Sequence, residues 1–321
     1  MALTLCETFH TMRIGAPGQR YLSVTRTASF PRKLFVNGRT MSRLLSLFLI
    51  TPFLHTWAGN ERFLEATTFP QSRSAEERGT QIARQVQDRD TGRDSRSTMR
   101  MRLFDRQGRV RERALSTLGM KGGAGRAVPG DRSLTRFTYP NDINGTGFLV
   151  WENPEGENER FLYLPSLGRV RRIAGSETQD SFMGSDFTYE DIGGREFEDY
   201  TYRLIDDTSR WTAPDGTVHP VFRLESRTRD PKAKFPRVVS LVRQDNFVVV
   251  RGEVHNRRDE LQKVFDVKRL ERVNGIWTVL EMVMVDTLQR TRTELVVEKV
   301  EYNVGLTAAD FSRRALEQGA R

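Results

Sequence analysis

Apolar and polar residues alternate with a period of two through most of this 321-residue chain, which limits it to a fold built largely from β-strands. The segments that alternate follow one another at hairpin spacing, and helices do not alternate with them as they would around a parallel sheet. We therefore expect an antiparallel sheet or barrel of roughly a dozen strands. The predicted strands are 97–104, 109–118, 134–139, 146–151, 160–164, 169–173, 198–205, 219–227, 237–243, 247–254, 264–273, 276–285 and 292–302.

The clearest strand signals lie in the C-terminal third. Asn274-Gly275 separates two of the predicted strands and is the strongest two-residue signal for a β-hairpin. In the last predicted strand, Leu295 belongs to one face of the sheet, whereas Val296 and Val300 belong to the other. Because a sheet with one solvated face alternates more cleanly, apolar residues on both faces indicate a sheet that is covered on both sides.

Helical signals are sparse and lie near the two ends of the predicted sheet. Ser74 and Glu77 form a capping-box pattern, in which the first residue caps a helix and the second reaches back to it. Ile82 then marks an apolar stripe that continues to about residue 87. A second short helix is predicted to open at Thr307, with Asp310 three residues later.

Residues 41–58 have the three-part composition of a secretory signal peptide. Arg43 supplies a positive charge, a mostly apolar run follows, and Ala58 ends a stretch with small residues where a signal peptidase cleaves. The apolar run is too short to span a bilayer as a stable helix. We expect translation to start at Met41, with residues 1–40 an upstream extension or a mis-assigned start. The alternatives are a long n-region and an uncleaved anchor.

Removal of this segment changes the charge of the chain. The chain carries 51 Lys and Arg against 42 Asp and Glu, but seven of these basic residues and one acid lie in residues 1–58. The predicted mature part, a single domain over 59–321, keeps 44 basic and 41 acidic residues, a net charge of +3. The high isoelectric point of the whole chain, about 10.0, is therefore no evidence for a nucleic-acid partner.

Cysteine usage points to the compartment. Cys6 is the only cysteine and lies before the predicted start. The mature domain would therefore have no disulfide, no thiol nucleophile, no cysteine-ligated zinc and no cysteine to carry an acyl anchor. An exported, unanchored and disulfide-free domain fits the bacterial periplasm best.

Few residues of the mature domain suit catalysis or metal binding. His219 and His255 are its only histidines, and each stands alone in a strand-like context, with no second histidine at metal-binding spacing. A run of acids is the one candidate for carboxylate catalysis or calcium binding, but its spacing does not match a calcium loop. A solvated loop with local ion pairs is the simpler interpretation, so we expect no catalytic residue, no metal site and no cofactor. These acids are Asp186, Glu190, Asp191, Glu196, Glu198 and Asp199.

Large apolar side chains crowd the middle of the chain and extend into the Gly/Ser/Asp-rich segment 174–197. For any one of them, filling the core is the simpler interpretation. Together, a covered sheet and an apolar segment above it would enclose a cavity able to hold acyl chains. Phe161 and Tyr163 share one sheet face and Leu162 and Leu164 share the other, and we assign the aromatic pair to the cavity. The predicted ligand-lining residues are Trp151, Phe161, Tyr163, Met183 and Phe187.

Five stretches of the sequence together resemble a known family. They are RFTYPNDINGTGFLVWENPE, RFLYLPSLGRVRRI, GSDFTYEDI, VNGIWTVLEMVMVD and VEYNVGLTAADFSRRAL. The combination resembles the LolA-like outer-membrane lipoprotein-sorting proteins, and most closely the larger branch of that superfamily. The resemblance covers roughly residues 73 to 318.

This resemblance implies a mainly β (α+β) fold, an unclosed antiparallel β-barrel of about eleven or twelve strands whose hydrophobic cavity is covered by short helices. It also implies a periplasmic carrier that shields the acyl chains of lipoprotein or other lipid cargo during outer-membrane sorting. An inner-membrane exporter and an outer-membrane acceptor would be its partners. The family motif carries no catalytic residues.

Two other functions stay open at this point. The first is a non-enzymatic accessory or sensor subunit of an envelope exporter, whose cavity is vestigial. The second, more distant, is an esterase or glycan hydrolase, which would need His219 or His255 near a carboxylate and a hydroxyl.

Overall fold

The computed structural model describes residues 73–318, which form one large antiparallel sheet and three short α-helices. The helices are α1 (Ala75–Asp88), α2 (Tyr189–Gly193) and α3 (Arg313–Gln318). The strands are β1 (Asp94–Phe104), β2 (Val110–Met120), β3 (Arg132–Tyr139), β4 (Gly147–Trp151), β5 (Glu159–Leu164), β6 (Arg169–Arg172), β7 (Tyr200–Asp206), β8 (Arg210–Thr212), β9 (Val218–Thr228), β10 (Arg237–Arg243), β11 (Val249–His255), β12 (Leu261–Val273), β13 (Ile276–Asp286) and β14 (Thr291–Tyr302).

The strand order shows how the chain builds an unclosed barrel. Thirteen strands pair in the order β6-β5-β4-β3-β2-β1-β14-β13-β12-β11-β10-β9-β7, and β8 pairs only with β9. Strands β1 to β6 lead outward to one edge of the sheet, and the chain then crosses to β7 at the other edge. From β7 it returns strand by strand until β14 pairs with β1. The crossover, 173–199, therefore joins the two free edges.

The predicted fold class is confirmed, with one correction to its strand count. Residues 73–318 contain fourteen strands, not eleven or twelve. Strand β8 is absent from the predicted strands, because it spans only three residues and is too short to show an alternating pattern.

The hairpin predicted at Asn274-Gly275 is confirmed. Both residues have positive φ angles, 51° and 85°, as a two-residue turn of the type that suits a twisted hairpin requires. Val273 and Ile276 pair directly across the turn. The turn thereby sets the register of β12 and β13.

Both predicted helix starts are confirmed by their caps. The amide of Glu77 donates to Ser74 Oγ over 3.1 Å, and the amide of Ser74 donates to Glu77 Oε2 over 2.9 Å. Near the C-terminus, the amide of Thr307 donates to Asp310 Oδ2 over 2.8 Å and begins a 3₁₀ turn, Ala308–Phe311. Helix α3 then follows this turn.

Helix α1 packs across the β7 edge of the sheet. Ile82 and Ala83 are buried against Leu204 of β7 and Leu224 of β9, as the apolar stripe predicts. Gly79 brings the helix backbone very close to the strand, because a Cβ atom placed there would lie only 2.6 Å from Cα of Arg203.

We expect Gly79→Ala to destabilise the protein although alanine favours a helix. The new methyl group would collide with the backbone of Arg203, and such overpacking costs about 1–3 kcal/mol. Urea unfolding measures this change in the free energy of unfolding. Thr80→Ala is the matched control, since Thr80 is exposed on the same helix and its replacement improves helix propensity without a collision. Equal stability of the two variants would contradict the close approach.

Within residues 73–318 no helix has the length and apolar character needed to cross a membrane. The predicted signal peptide at 41–58 and the preceding residues 1–40 lie outside the described residues.

Candidate functional site

A cavity of about 470 Å³ lies between one face of the sheet and the segment that crosses between its edges. Eight neighbouring strands, from β3 to β10, contribute side chains to it. In a flat sheet with strands about 4.8 Å apart, β3 and β10 would be separated by roughly 34 Å. The sheet must therefore curl strongly for both strands to line one cavity. We call the face that lines it the inner face.

The walls of the cavity are largely apolar and rich in methionine. Met99 and Met101 of β1 lie on the wall with Met282 and Met284 of β13, on the two sides of β14. Methionine side chains are flexible and polarisable, so a wall made of them adapts to ligands of different shape. The other apolar lining residues are Leu115, Phe182, Phe187, Ile192, Val238, Val249, Val254, Phe265 and Leu295.

The segment 174–197, which we call the lid, is anchored by a buried aromatic cluster. Phe182 is completely buried, and its ring centroid lies 5.7 Å from that of Phe137, 5.6 Å from Phe148 and 5.5 Å from Tyr189. Phe137 and Phe148 belong to β3 and β4. The lid therefore shares its core with the sheet.

Polar contacts hold the lid to several strands at once. Arg113 of β2 donates to the carbonyl oxygen of Met183 over 2.6 Å. Lys263 of β12 donates to the carbonyl oxygen of Asp186 over 2.6 Å, and burial lowers the pKa of this lysine. Thr293 of β14, which is fully buried, donates to the carboxylate of Asp186 over 2.6 Å. These contacts fix the lid above the middle of the sheet.

The charged side chains of the cavity lining all come from one short stretch of the lid, and we call this part of the lining the polar end of the cavity. Glu190, Asp191 and Arg195 of the lid line it there. Glu190 is only 7% exposed and accepts a hydrogen bond from the hydroxyl of Tyr200, the first residue of β7. Arg195 Nε lies 3.4 Å from Glu190 Oε1, and Arg195 Nη2 donates to Asp191 Oδ1 over 3.2 Å. Two carboxylates therefore share one guanidinium.

Electrostatics at this end follow from that arrangement. Burial and the adjacent Glu190 raise the pKa of Tyr200, so its hydroxyl stays protonated and keeps donating. Partial desolvation opposes the charge of Arg195, about a third of whose side chain is exposed, but Glu190, Tyr200 and Asp191 together raise its pKa above the usual range. The site thus holds a permanent cation between two acids.

The acidic run is less solvated than the sequence indicated. Glu190 is buried, whereas Glu198 and Asp199 are exposed and Glu196 forms a 2.9 Å ion pair with Arg160. Asp186 is bound by threonine hydroxyls of β14. The interpretation as a solvated loop is therefore wrong for Glu190. Within residues 73–318 no group of three or more His, Cys, Asp or Glu side chains is arranged to hold a metal ion.

Of the five predicted lining residues, the structure places Phe187 on the cavity wall. Met183 packs against the core cluster beneath the lid. Trp151, Phe161 and Tyr163 lie on the opposite, outer face of the sheet and do not line this cavity.

The prediction for Phe161 and Tyr163 assigned the wrong face of β5 to the cavity. Leu162 and Leu164 take the inner face, so Phe161 and Tyr163 point outward. On the outer face the aromatic residues are covered by residues 308–318, the 3₁₀ turn and α3, which we call the C-terminal segment. Trp151 Nε1 donates to the carbonyl oxygen of Phe311 in this segment over 2.7 Å. Alternation pairs the side chains correctly but does not say which face is the inner one.

Neither histidine of the predicted mature domain lines the cavity. His219 stacks on Trp211, with ring centroids 5.9 Å apart. Nδ1 of His255 lies 3.2 Å from the carbonyl oxygen of Asp259. Both histidines thus have structural contacts on the strands β9 and β11.

Solved structures of related proteins share this fold. A DUF1329 family protein from Desulfovibrio piger is 31% identical to this chain and superposes with a TM-score of 0.67. The match covers 76% of this chain and 100% of the Desulfovibrio chain. This chain belongs to the DUF1329 family. A family profile described as "Uncharacterized protein" matches residues 129–318 of this DUF1329 chain.

Two further structures link this DUF1329 protein to the LolA-like superfamily. A putative outer membrane lipoprotein-sorting protein domain from Vibrio parahaemolyticus is 28% identical, with a TM-score of 0.67, covering 76% of this chain and 100% of its own. A LolA superfamily protein from Nitrosomonas europaea is 16% identical and shares the fold, with a TM-score of 0.56 over 75% of this chain and 98% of its own. The resemblance to the LolA-like superfamily is thereby confirmed. No functionally curated protein matches this sequence.

Proposed function

We propose that this DUF1329 protein is a carrier that shields the apolar part of a lipid or other hydrophobic molecule from water. The observation that supports this most is the cavity of about 470 Å³, walled by methionine, valine, leucine and phenylalanine and covered by the lid. Apolar cavities of this size are typical of ligand sites in proteins. The carrier makes and breaks no bond, and its work is done by burial alone.

The size of the cavity suits one acyl chain. A methylene group takes up about as much space as a water molecule, about 30 Å³, so 470 Å³ holds about fifteen of them. At about 0.8 kcal/mol for each buried methylene, burial would favour binding by about 12 kcal/mol before the entropy of association is subtracted. Such a ligand would be held firmly without any covalent link.

The compartment and the partners are part of the same proposal. The signal peptide predicted at 41–58 and the relationship to an outer membrane lipoprotein-sorting domain both favour the periplasm. There the protein would take lipid or lipoprotein acyl chains from an inner-membrane exporter and deliver them to an outer-membrane acceptor. Its role would be transport.

One observation favours the alternative, an accessory or sensor subunit of an envelope exporter. The lid is tied to the sheet by the buried Phe182 cluster and by the contacts of Asp186. A lid that never opens would seal the cavity, and the protein would then act through its surface.

Binding of N-phenyl-1-naphthylamine separates the two functions. This neutral probe fluoresces strongly only in apolar surroundings, and a carrier should bind it saturably with one site per protein. Dodecanol should displace it, because both compounds compete for the same cavity. A folded protein that gives no fluorescence enhancement would favour the accessory subunit.

A further inference from the structure

We propose that the ligand of this cavity is an amphiphile whose head group donates hydrogen bonds, as an amine or a hydroxyl does, and that free carboxylates are rejected. This inference rests on the proposed function and concerns the polar end of the same cavity. There Glu190 would accept from the head group while the chain lies along the methionine wall.

The charges at the polar end favour a donor. Glu190 and Asp191 are both acidic, and Arg195 is the single basic side chain on the cavity wall, so the lining carries a net charge of −1. Arg195 is already engaged by both acids, at 3.4 Å and 3.2 Å. A carboxylate head group would therefore meet a guanidinium that two carboxylates already share. The nearby Lys263 points to the lid backbone and does not line the cavity.

Glu190 is built into the site and still able to accept. Its side chain is more than nine-tenths buried, which is uncommon for a glutamate unless it is paired. Tyr200 and Arg195 both contact Oε1, so Oε2 keeps its capacity to accept a hydrogen bond. A charge-assisted hydrogen bond from an amine to this oxygen would be stronger than a bond between neutral groups.

Glu190 also lies where the head group would have to be. It lines the apolar cavity and, on its other side, an adjoining polar cleft of about 840 Å³. The lining of this cleft carries five basic and five acidic side chains, so the cleft itself selects no charge. A chain in the cavity and a head group at the cleft would place the polar junction of the ligand beside Glu190.

The test compares three compounds that share a dodecyl chain and differ only in the head group. Dodecylamine, dodecanol and dodecanoate compete with N-phenyl-1-naphthylamine at neutral pH, where the amine is protonated and the acid is ionised. We expect dodecylamine to bind about tenfold more tightly than dodecanoate, with dodecanol between them. In Glu190→Gln, which keeps the size of the side chain, the difference between dodecylamine and dodecanoate should fall below about threefold. Dodecanol should bind less than about threefold more weakly than to the parent, because the amide oxygen of glutamine still accepts a hydrogen bond but carries no charge.

Glu177→Gln is the matched control. Glu177 is another acid of the lid, but it pairs with Arg171 over 2.6 Å and does not line the cavity, so its replacement should leave all three affinities unchanged. The parent series is decisive even if Glu190→Gln fails to fold. Equal binding of the three compounds, or tighter binding of dodecanoate, would overturn this inference about the head group. The proposed carrier function would not be affected by that result. No binding of any of the three would overturn the carrier itself.

Discussion

Gly252→Leu is expected to abolish most ligand binding while the protein stays folded. Gly252 of β11 pairs with Ser240 and Phe265, and all three line the cavity. A Cβ atom there would meet only Cβ of Phe265, at an ordinary distance of 3.7 Å. The four added carbons would fill about a quarter of a space that holds about fifteen methylene groups.

The expected change is a loss of at least about tenfold in affinity for N-phenyl-1-naphthylamine, because overpacking opposes entry of the probe. The thermal midpoint should be unchanged or higher, since a glycine inside a strand weakens it. Fluorescence titration and thermal unfolding measure the two quantities on the same sample.

Tyr163→Ala is the matched control for this result. Tyr163 lies on the outer face under the C-terminal segment, so its truncation should leave the affinity of the probe unchanged. If Gly252→Leu keeps the parent affinity, or if Tyr163→Ala weakens binding more, the ligand does not occupy the inner-face cavity.

Phe182→Ala is expected to be the most destabilising single change in the lid. The ring is completely buried and contacts three other aromatic rings, so its removal leaves a large void between lid and sheet. Truncation of a buried phenylalanine costs about 3–5 kcal/mol. Urea unfolding should show this loss in the free energy of unfolding, and probe binding should weaken as the lid loosens.

Tyr139→Ala provides the comparison for an aromatic residue outside the core. Tyr139 is 54% exposed at the end of β3, so its truncation should change stability by less than about 0.5 kcal/mol. A cost below about 1 kcal/mol for Phe182→Ala would mean that the lid does not share a cooperative core with the sheet.

The elements that local chemistry specifies are the ones that the sequence predicts well. The capping box at Ser74, the Asn274-Gly275 turn and the strand 237–243 all lie where the pattern places them. Each depends on residues within a few positions of one another, so the signal is complete in a short window. The short strand β8 lacks such a window and was missed.

The cavity is lined by residues that are distant from one another in sequence. No short stretch of the sequence shows which of them meet. Period-two alternation pairs Phe161 with Tyr163 but leaves open which face curls inward. That choice follows from the crossover of the lid between the β6 and β7 edges and from the docking of α3 on the outer face.

Burial of Glu190 has the same kind of origin. Its run of acidic neighbours is typical of a solvated loop, and local sequence gives no sign of burial. The carboxylate is stable inside because Tyr200 donates to it and Arg195 lies beside it. These three residues are close to one another in the chain, since Tyr200 begins the strand that follows the lid. What the local sequence does not show is the docking of the lid on the sheet, which buries Glu190 against strands that are distant in sequence.

Photochemical labelling with a dodecanol that carries a diazirine on its chain tests the central claim most directly. The compound is bound to the protein and irradiated. Peptide mass spectrometry then identifies the labelled residues, which are those that contact the alkyl chain. The carrier account predicts saturable labelling of β13 around Met282 and Met284 and of the lid at Phe187. Excess unlabelled dodecanol should suppress it. Labelling confined to the outer face at Phe161 and Tyr163, or labelling that does not saturate, would contradict the account.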